Sequence, residues 1–105
     1  MDTIFWFMFL VRPRPANPFY FHTSATFVAS WVAYPEMEIA RQMARNAIED
    51  RSWQIEVLEK WEIVSRQTYR GSPKSLEHFE KALLFGQCLV FYLQPEGEIS
   101  GKKAA

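Results

Sequence analysis

The sequence predicts a single α+β domain, in which a mostly antiparallel sheet carries two amphipathic helices on one face. Three observations lead to this prediction. Nearly half of the 105 residues are hydrophobic, the apolar segments switch between strand-like and helix-like spacing, and proline or glycine separates most of these segments. A chain of this length has the usual size of one domain. We therefore assign residues 1–100 to one domain and residues 101–105 to a flexible tail.

The first apolar segment, residues 4–11, carries aromatic and aliphatic side chains on both of its alternating faces. This pattern predicts a strand that is buried on two sides. If the helices cover one face of the sheet, the other face needs a second cover, which another copy of the chain can supply. We therefore expect a homodimer with sheet aromatics such as Trp6 and Phe27 at the interface. The alternative is that the domain's own loops shield this strand.

A proline-rich loop follows, because three prolines between residues 12 and 18 interrupt any sheet ladder. Arg12 and Arg14 lie beside these rigid residues, and the aromatic run at residues 19–21 ends at His22. Guanidinium groups bind carboxylates and phosphates well. One hypothesis is therefore an anionic ligand site formed by Arg12, Arg14 and His22. The alternative is that the arginines solubilise the loop and the aromatic side chains complete the core.

Residues 26–33 have the alternating side-chain pattern of a strand, and a helix is predicted to follow over residues 35–51. Pro35 suits the first turn of a helix, and two glutamates close behind it favour the positive end of the helix dipole. The core face of the strand is predicted to carry Phe27, Ala29, Trp31 and Ala33. The apolar stripe of the helix comprises Ala40, Met43, Ala44, Ala47 and Ile48.

Residues 53–64 alternate between apolar and charged side chains and predict a half-exposed strand. Leu58 and Val64 break the alternation. One long strand with a bulge fits this pattern, and so does a hairpin that turns near Glu59 and Lys60.

A second helix is predicted to begin at Pro73, with Ser72 as its N-cap, and to end at Gly86. Its buried face comprises Leu76, Phe79, Ala82 and Leu83. Residues 88–93 are apolar throughout and predict a final, central strand. The resulting order of strands and helices resembles the ferredoxin-like α/β plait or a permuted variant of it.

The residues that usually carry chemistry form no recognised motif. Cys88 is the only cysteine, and His22 and His78 have no metal-binding spacing. A nucleophilic Cys88 needs a nearby base, which the sequence does not identify. No glycine-rich phosphate-binding sequence is present. We therefore expect no metal and no cofactor, and an enzyme that uses His22 or Cys88 is the least favoured hypothesis.

Charge and cysteine content restrict the partners and the compartment. Twelve basic and twelve acidic residues give no net charge, which disfavours nucleic acid and membrane surfaces as partners and eases self-association. One cysteine excludes an internal disulfide and fits the reducing cytoplasm. The apolar segment at residues 4–11 is much shorter than the roughly 20 residues of a membrane-spanning helix, and its flanks do not fit a signal peptide.

Residues 27–92 resemble a group of small bacterial proteins, most of which have no assigned function. The similar features are an Ala- and Arg-rich helix (38–44), a Trp that opens an acidic strand (53–59), a Ser-Arg-x-x-Tyr turn (65–69) and a Leu-Glu-x-Phe-Glu-x-Ala helix (76–82). These are core and turn residues, so the resemblance implies a plait-like fold and no activity.

The leading functional hypothesis is therefore a non-enzymatic interaction or regulatory module that acts as a homodimer. The alternative is a protein that binds a small anionic ligand over Arg12 and Arg14.

Overall fold

The computed structural model describes residues 3–93, which form a four-stranded antiparallel sheet and two α-helices. The α+β class is confirmed. The tail predicted at residues 101–105 lies outside the described residues. The elements in chain order are strands β1 (Ile4–Pro13) and β2 (Thr26–Ala33), helix α1 (Met37–Glu49), strand β3 (Trp53–Val64), a 3₁₀ turn (Arg66–Tyr69), helix α2 (Pro73–Phe85) and strand β4 (Gln87–Phe91).

The sheet order is β3-β1-β2-β4, so the hairpin of β1 and β2 lies at the centre. Strands β2 and β3 are each antiparallel to β1. They therefore run parallel to each other, and helix α1 joins them as one split β-α-β unit. A ferredoxin-like plait contains two such units. Here helix α2 instead joins β3 to β4, which are antiparallel to each other.

The two helices lie on opposite faces of the sheet, so the prediction that both lie on one face was wrong. Helix α1 packs on the odd-numbered residues of β1, including Phe7 and Phe9. Helix α2 packs on the opposite face of the sheet, where it contacts Ile4 of β1 and Trp31 of β2. We call these two surfaces the α1 face and the α2 face. Each strand of the central hairpin is apolar on both faces, and that pattern does not specify which helix covers which face.

Helix α1 approaches the sheet closely because its buried stripe is small. Ala40, Ala44 and Ile48 are fully buried at intervals of four residues. The helix begins at Met37, two residues later than predicted, with Glu36 as its N-cap. Pro35 therefore precedes the helix.

Strand β2 is buried on both faces. The prediction that its core face is the one with Phe27, Ala29, Trp31 and Ala33 was therefore wrong. Val28, Ser30 and Val32 are completely buried under the α1 cluster. On the predicted core face, Ala29 and Trp31 are buried, but Phe27 is 44% exposed. The reason is that helix α2 covers only part of that face.

Strand β3 is one strand of 12 residues rather than a hairpin. Two register shifts against β1, between Met8 and Phe9 and between Leu10 and Val11, account for the broken alternation. The shifts place Val57 opposite Leu10 and leave Leu58 on the α1 face opposite Phe9.

The boundaries of helix α2 agree with the prediction. Pro73 is the first helical residue, and the backbone N–H of Gly86 donates to the carbonyl of Ala82 at 2.8 Å. Gly86 adopts a φ of 95°, which favours glycine. Strand β4 was predicted to be central, but it is an edge strand of the described sheet. Residues 88–91 of this strand are apolar because the strand packs on both faces, through Leu89 on the α1 cluster and through Val90 on the α2 cluster.

Across residues 3–93 the structure contains no helix with both the length and the apolar character needed to span a membrane.

Candidate functional site

The candidate site is the part of the α2 face that helix α2 leaves uncovered. Cross-strand partners share a face, so the register defines rows of side chains across the sheet. One row runs from Val57 through Leu10 to Phe27, and Tyr92 continues it because its backbone N–H donates to the carbonyl of Phe27 at 2.9 Å. Two rows further along lie Glu62, Trp6, Trp31 and Cys88.

The chain topology explains why helix α2 covers only part of the α2 face. Strand β3 ends at Val64 opposite Ile4. Strand β4 begins at that same end of the sheet, because the backbone N–H of Ala33, the partner of Ile4, donates to the carbonyl of Gly86. The chain therefore leaves and returns at the same end of the sheet, and residues 65–72, including Tyr69, cover that end together with helix α2.

The uncovered surface, which we call the open patch, is mostly apolar. Phe27, Val57 and Tyr92 are each more than two-fifths exposed, and Trp6, Met8 and Leu10 are half-buried. Large connected apolar patches on soluble proteins commonly mark interaction sites. The members of the open patch are Trp6, Met8, Leu10, Phe27, Val57, Lys60 and Tyr92.

Two cavities adjoin at Tyr92. The outer cavity, of about 480 Å³, lies on the open patch between Met8, Phe27 and Lys60, with Glu59 at its edge. The second, of about 240 Å³, lies between the sheet and the segment that leads into helix α2. We call the second one the aromatic cavity, because four aromatic side chains line it: Trp6, Trp31, Tyr69 and Tyr92.

The back of the aromatic cavity is held by a hydrogen bond between Trp31 and Tyr69. The indole Nε1–H of Trp31 donates to the Tyr69 hydroxyl at 2.8 Å, and the two rings meet edge to face with centroids 6.3 Å apart. Burial raises the pKa of Tyr69, and the hydrogen bond from Trp31 opposes that rise. The Tyr69 ring also packs on Phe79 of helix α2, with centroids 6.0 Å apart.

The charged side chains at the open patch lie on β3 and carry both signs. The ammonium of Lys60 lies 5.6 Å from the centroid of the Trp6 ring, a cation–π contact. Glu59 and Glu62 flank Lys60 along β3, and Glu62 lines the aromatic cavity. The surface therefore offers apolar rings bordered by both charge signs.

The structure does not assemble the hypothesised anion site. The Arg12 guanidinium donates to the carbonyl of Ser24 at 3.1 Å and lies 3.6 Å from the Glu56 carboxylate. Its charge is therefore balanced within the protein. Arg14 and His22 are exposed, and neither lines the outer cavity or the aromatic cavity. An anionic ligand at Arg12, Arg14 and His22 remains a prediction.

The loop after β1 is instead tied to the domain by Asn17. The Asn17 amide donates to the carbonyls of Arg51 and Ser52, both at 3.1 Å, and its side-chain oxygen accepts from the backbone N–H of Phe19. Phe19 then stacks on Trp53, with ring centroids 6.3 Å apart. Phe19 contacts the core through Trp53 but remains 40% exposed, so the interpretation that these aromatic residues complete the core stays a prediction.

Cys88 has a neighbour that the sequence did not reveal. This neighbour is His78 of helix α2, which is half-buried, with its ring centroid 5.1 Å from that of Trp31. Its Nδ1 lies 3.9 Å from the Cys88 sulfur. Burial raises the pKa of Cys88 and lowers the pKa of His78. Both shifts favour a neutral thiol and a neutral imidazole, which is the opposite of an activated thiolate.

Comparisons with protein-family models, with curated proteins and with solved structures found no match for this chain. The site must therefore be interpreted from its own geometry. The resemblance to the small bacterial group stays a prediction.

Sequence reasoning identified part of this site. Trp6 and Phe27 were proposed as interface residues, and the structure places both on the α2 face. Tyr69 and Tyr92 were not identified, although an aromatic residue that closes a turn and one that ends an apolar strand were visible signals.

Proposed function

We propose that this chain is a non-enzymatic interaction module that acts as a homodimer through the open patch. The observation that carries the proposal is the apolar row of Val57, Leu10, Phe27 and Tyr92, which crosses β3, β1 and β2 and ends just beyond β4. Val57, Phe27 and Tyr92 are the exposed members of this row. Burial of apolar surface drives most protein association. This row is long enough to contact a partner along the full width of the sheet.

A second copy is the partner that best fits this surface. Exposed sheet faces pack well on each other, and a two-fold axis places identical patches in contact. Lys60 lies between Glu59 and Glu62 on β3. Both charge signs are therefore present beside the patch, and opposite charges across an interface favour specific association. The chain also has no net charge to oppose association.

The proposal includes the compartment in which the protein acts and the relation of its fold to other proteins. A single cysteine supports a reducing, cytoplasmic environment, and the split β-α-β unit of β2, α1 and β3 is the one part of the fold that supports a relation to the plait-like small bacterial proteins. A role as a regulatory module follows if dimerisation controls access to the open patch.

Light scattering coupled to size exclusion, at several concentrations, tests the oligomeric state. We expect a dimer at high micromolar concentration that dissociates on dilution. A monodisperse monomer across the whole range contradicts the proposal.

Lysine acylation followed by mass spectrometry tests the location of the interface. Lys60 belongs to the open patch, whereas Lys74 and Lys81 are exposed on helix α2. We expect Lys60 to be protected at concentrations where the dimer forms and to react after dilution, with Lys74 and Lys81 reactive throughout. Protection of Lys81 without protection of Lys60 places the interface on helix α2 and contradicts the proposal.

A further inference from the structure

The aromatic cavity has the composition of a site for an organic cation. Its walls include the rings of Trp6, Tyr69 and Tyr92, with Trp31 behind them, and Glu62 supplies a carboxylate. The faces of tryptophan and tyrosine rings attract cations electrostatically, and cages of such rings recognise quaternary and methylated ammonium groups. No Lys or Arg side chain lines this cavity.

Two further contacts bear on this site. The ammonium of Lys60 lies 5.6 Å from the centroid of the Trp6 ring, so a bound cation must displace this side chain from the ring. The hydrogen bond between Trp31 and Tyr69 fixes the orientation of the Tyr69 ring before any ligand arrives. A cavity with a preordered wall loses little entropy on binding.

We propose that the aromatic cavity binds a small molecule with a trimethylammonium group, held by the rings of Trp6, Tyr69 and Tyr92 and by the charge of Glu62. The cavity volume of about 240 Å³ admits such a head group with a short substituent. The hydroxyl of Ser75, which also lines the cavity, is available to a polar substituent. This proposal goes beyond the homodimer and does not require it, but the site shares Trp6 and Tyr92 with the open patch. Ligand binding is therefore measured at a concentration at which the protein is a monomer.

Choline and its neutral carbon isostere 3,3-dimethyl-1-butanol form a matched pair of probes. Both have the same shape, and only choline is charged. We expect saturable binding of choline, measured by calorimetry and by shifts of the Trp6 and Trp31 indole N–H signals in NMR spectra. The isostere is expected to bind at least several-fold more weakly. Equal binding of the two probes, or no saturable binding of choline, overturns the proposal.

The variants Glu62→Gln and Glu59→Gln locate the site. Both remove one negative charge from β3, but only Glu62 lines the aromatic cavity. We expect Glu62→Gln to weaken choline binding by about tenfold and Glu59→Gln to change it little, since the field of a carboxylate weakens with distance. Equal effects of the two substitutions overturn the assignment.

The ring of Trp6 is tested with Trp6→Leu, and Trp61→Leu serves as the control because Trp61 lies on the α1 face opposite Phe7. Loss of a cation–π contact is expected to weaken choline binding by about 2- to 30-fold. Thermal melts confirm that each variant is folded. Unchanged binding in folded Trp6→Leu overturns the proposed cage.

Discussion

The two faces of the sheet receive a helix of the same length but are covered to different extents. Helices α1 and α2 each have 13 residues. Helix α1 connects the end of β2 to the start of β3. The first residue of β3, Trp53, pairs with Pro13 at the far end of β1. It therefore spans the α1 face. Helix α2 returns to the end of the sheet from which β3 departed, so it covers only part of the α2 face.

This difference shows how topology leaves apolar surface exposed. Phe7, Phe9 and Val11 on the α1 face are completely buried. On the α2 face, Phe27 and Tyr92 stay exposed although the sequence around them is as apolar as a core strand. The exposed residues are therefore candidates for contact with a partner, whereas the buried ones are required for folding.

The largest expected effect distinguishes a core phenylalanine from an exposed one. Phe9→Ala removes a ring that is 0% exposed, and it is expected to lower the free energy of unfolding by about 3–5 kcal/mol. Phe27→Ala is expected to lower it by less than about 2 kcal/mol, because much of that ring is already in water. Urea unfolding of both variants at low protein concentration makes the comparison. Equal losses contradict the different burial of the two faces.

A smaller effect is expected within the aromatic cavity. Tyr69→Phe keeps the ring but leaves the indole N–H of Trp31 without its acceptor, and the expected loss is about 1–3 kcal/mol. Tyr20→Phe, at an exposed position, is the matched control and is expected to change stability by less than about 0.5 kcal/mol. If thermal or urea unfolding shows no difference between these two variants, the hydrogen bond does not stabilise the α2 face.

A pH-dependent effect follows from His78. Burial lowers its pKa in the folded protein, so between that lowered pKa and the unfolded value of about 6.5 the unfolded chain binds more protons. Stability therefore falls as the pH decreases through this window. Unfolding midpoints between neutral and mildly acidic pH are expected to fall less in His78→Gln than in the wild type. His22→Gln, which removes a histidine from the exposed loop, is the matched control. If the unfolding midpoints of all three proteins change equally with pH, His78 does not cause the loss of stability at mildly acidic pH.

The smallest expected effect concerns the rate at which Cys88 reacts. Burial raises the pKa of its thiol, so less thiolate is present at mildly alkaline pH than in an unfolded chain. Reaction with a disulfide reagent is expected to be slower in the folded protein than in denaturant, and His78→Gln is expected not to slow it further. A folded protein that reacts faster than the unfolded chain, and loses that advantage in His78→Gln, supports the enzyme hypothesis instead.

Local features of the fold were predictable because they depend on short stretches of sequence. Strand β2 and the ends of helix α2 follow from alternation, from Pro73 and from Gly86. The assignment of helices to faces was not predictable in this way. A strand that is apolar on both sides needs two covers, and the alternation does not identify them.

The candidate site was only partly predictable because its contacts join distant parts of the chain. Trp31 and Tyr69 are 38 residues apart, and His78 and Cys88 come from a helix and the following strand. Their contacts depend on how helix α2 docks on the sheet, which no local spacing encodes. The two bulges in β3 were likewise visible only as a break in alternation that a hairpin also explains.

The most direct test of the central claim compares Phe27→Glu with Phe85→Glu by light scattering. Both substitutions place a charge at an exposed phenylalanine, but Phe27 lies on the open patch, whereas Phe85, which is 75% exposed, lies at the end of helix α2. The open-patch proposal predicts a monomeric Phe27→Glu and a dimeric Phe85→Glu at a concentration where the wild type is a dimer. A Phe27→Glu variant that remains a dimer under those conditions would contradict it.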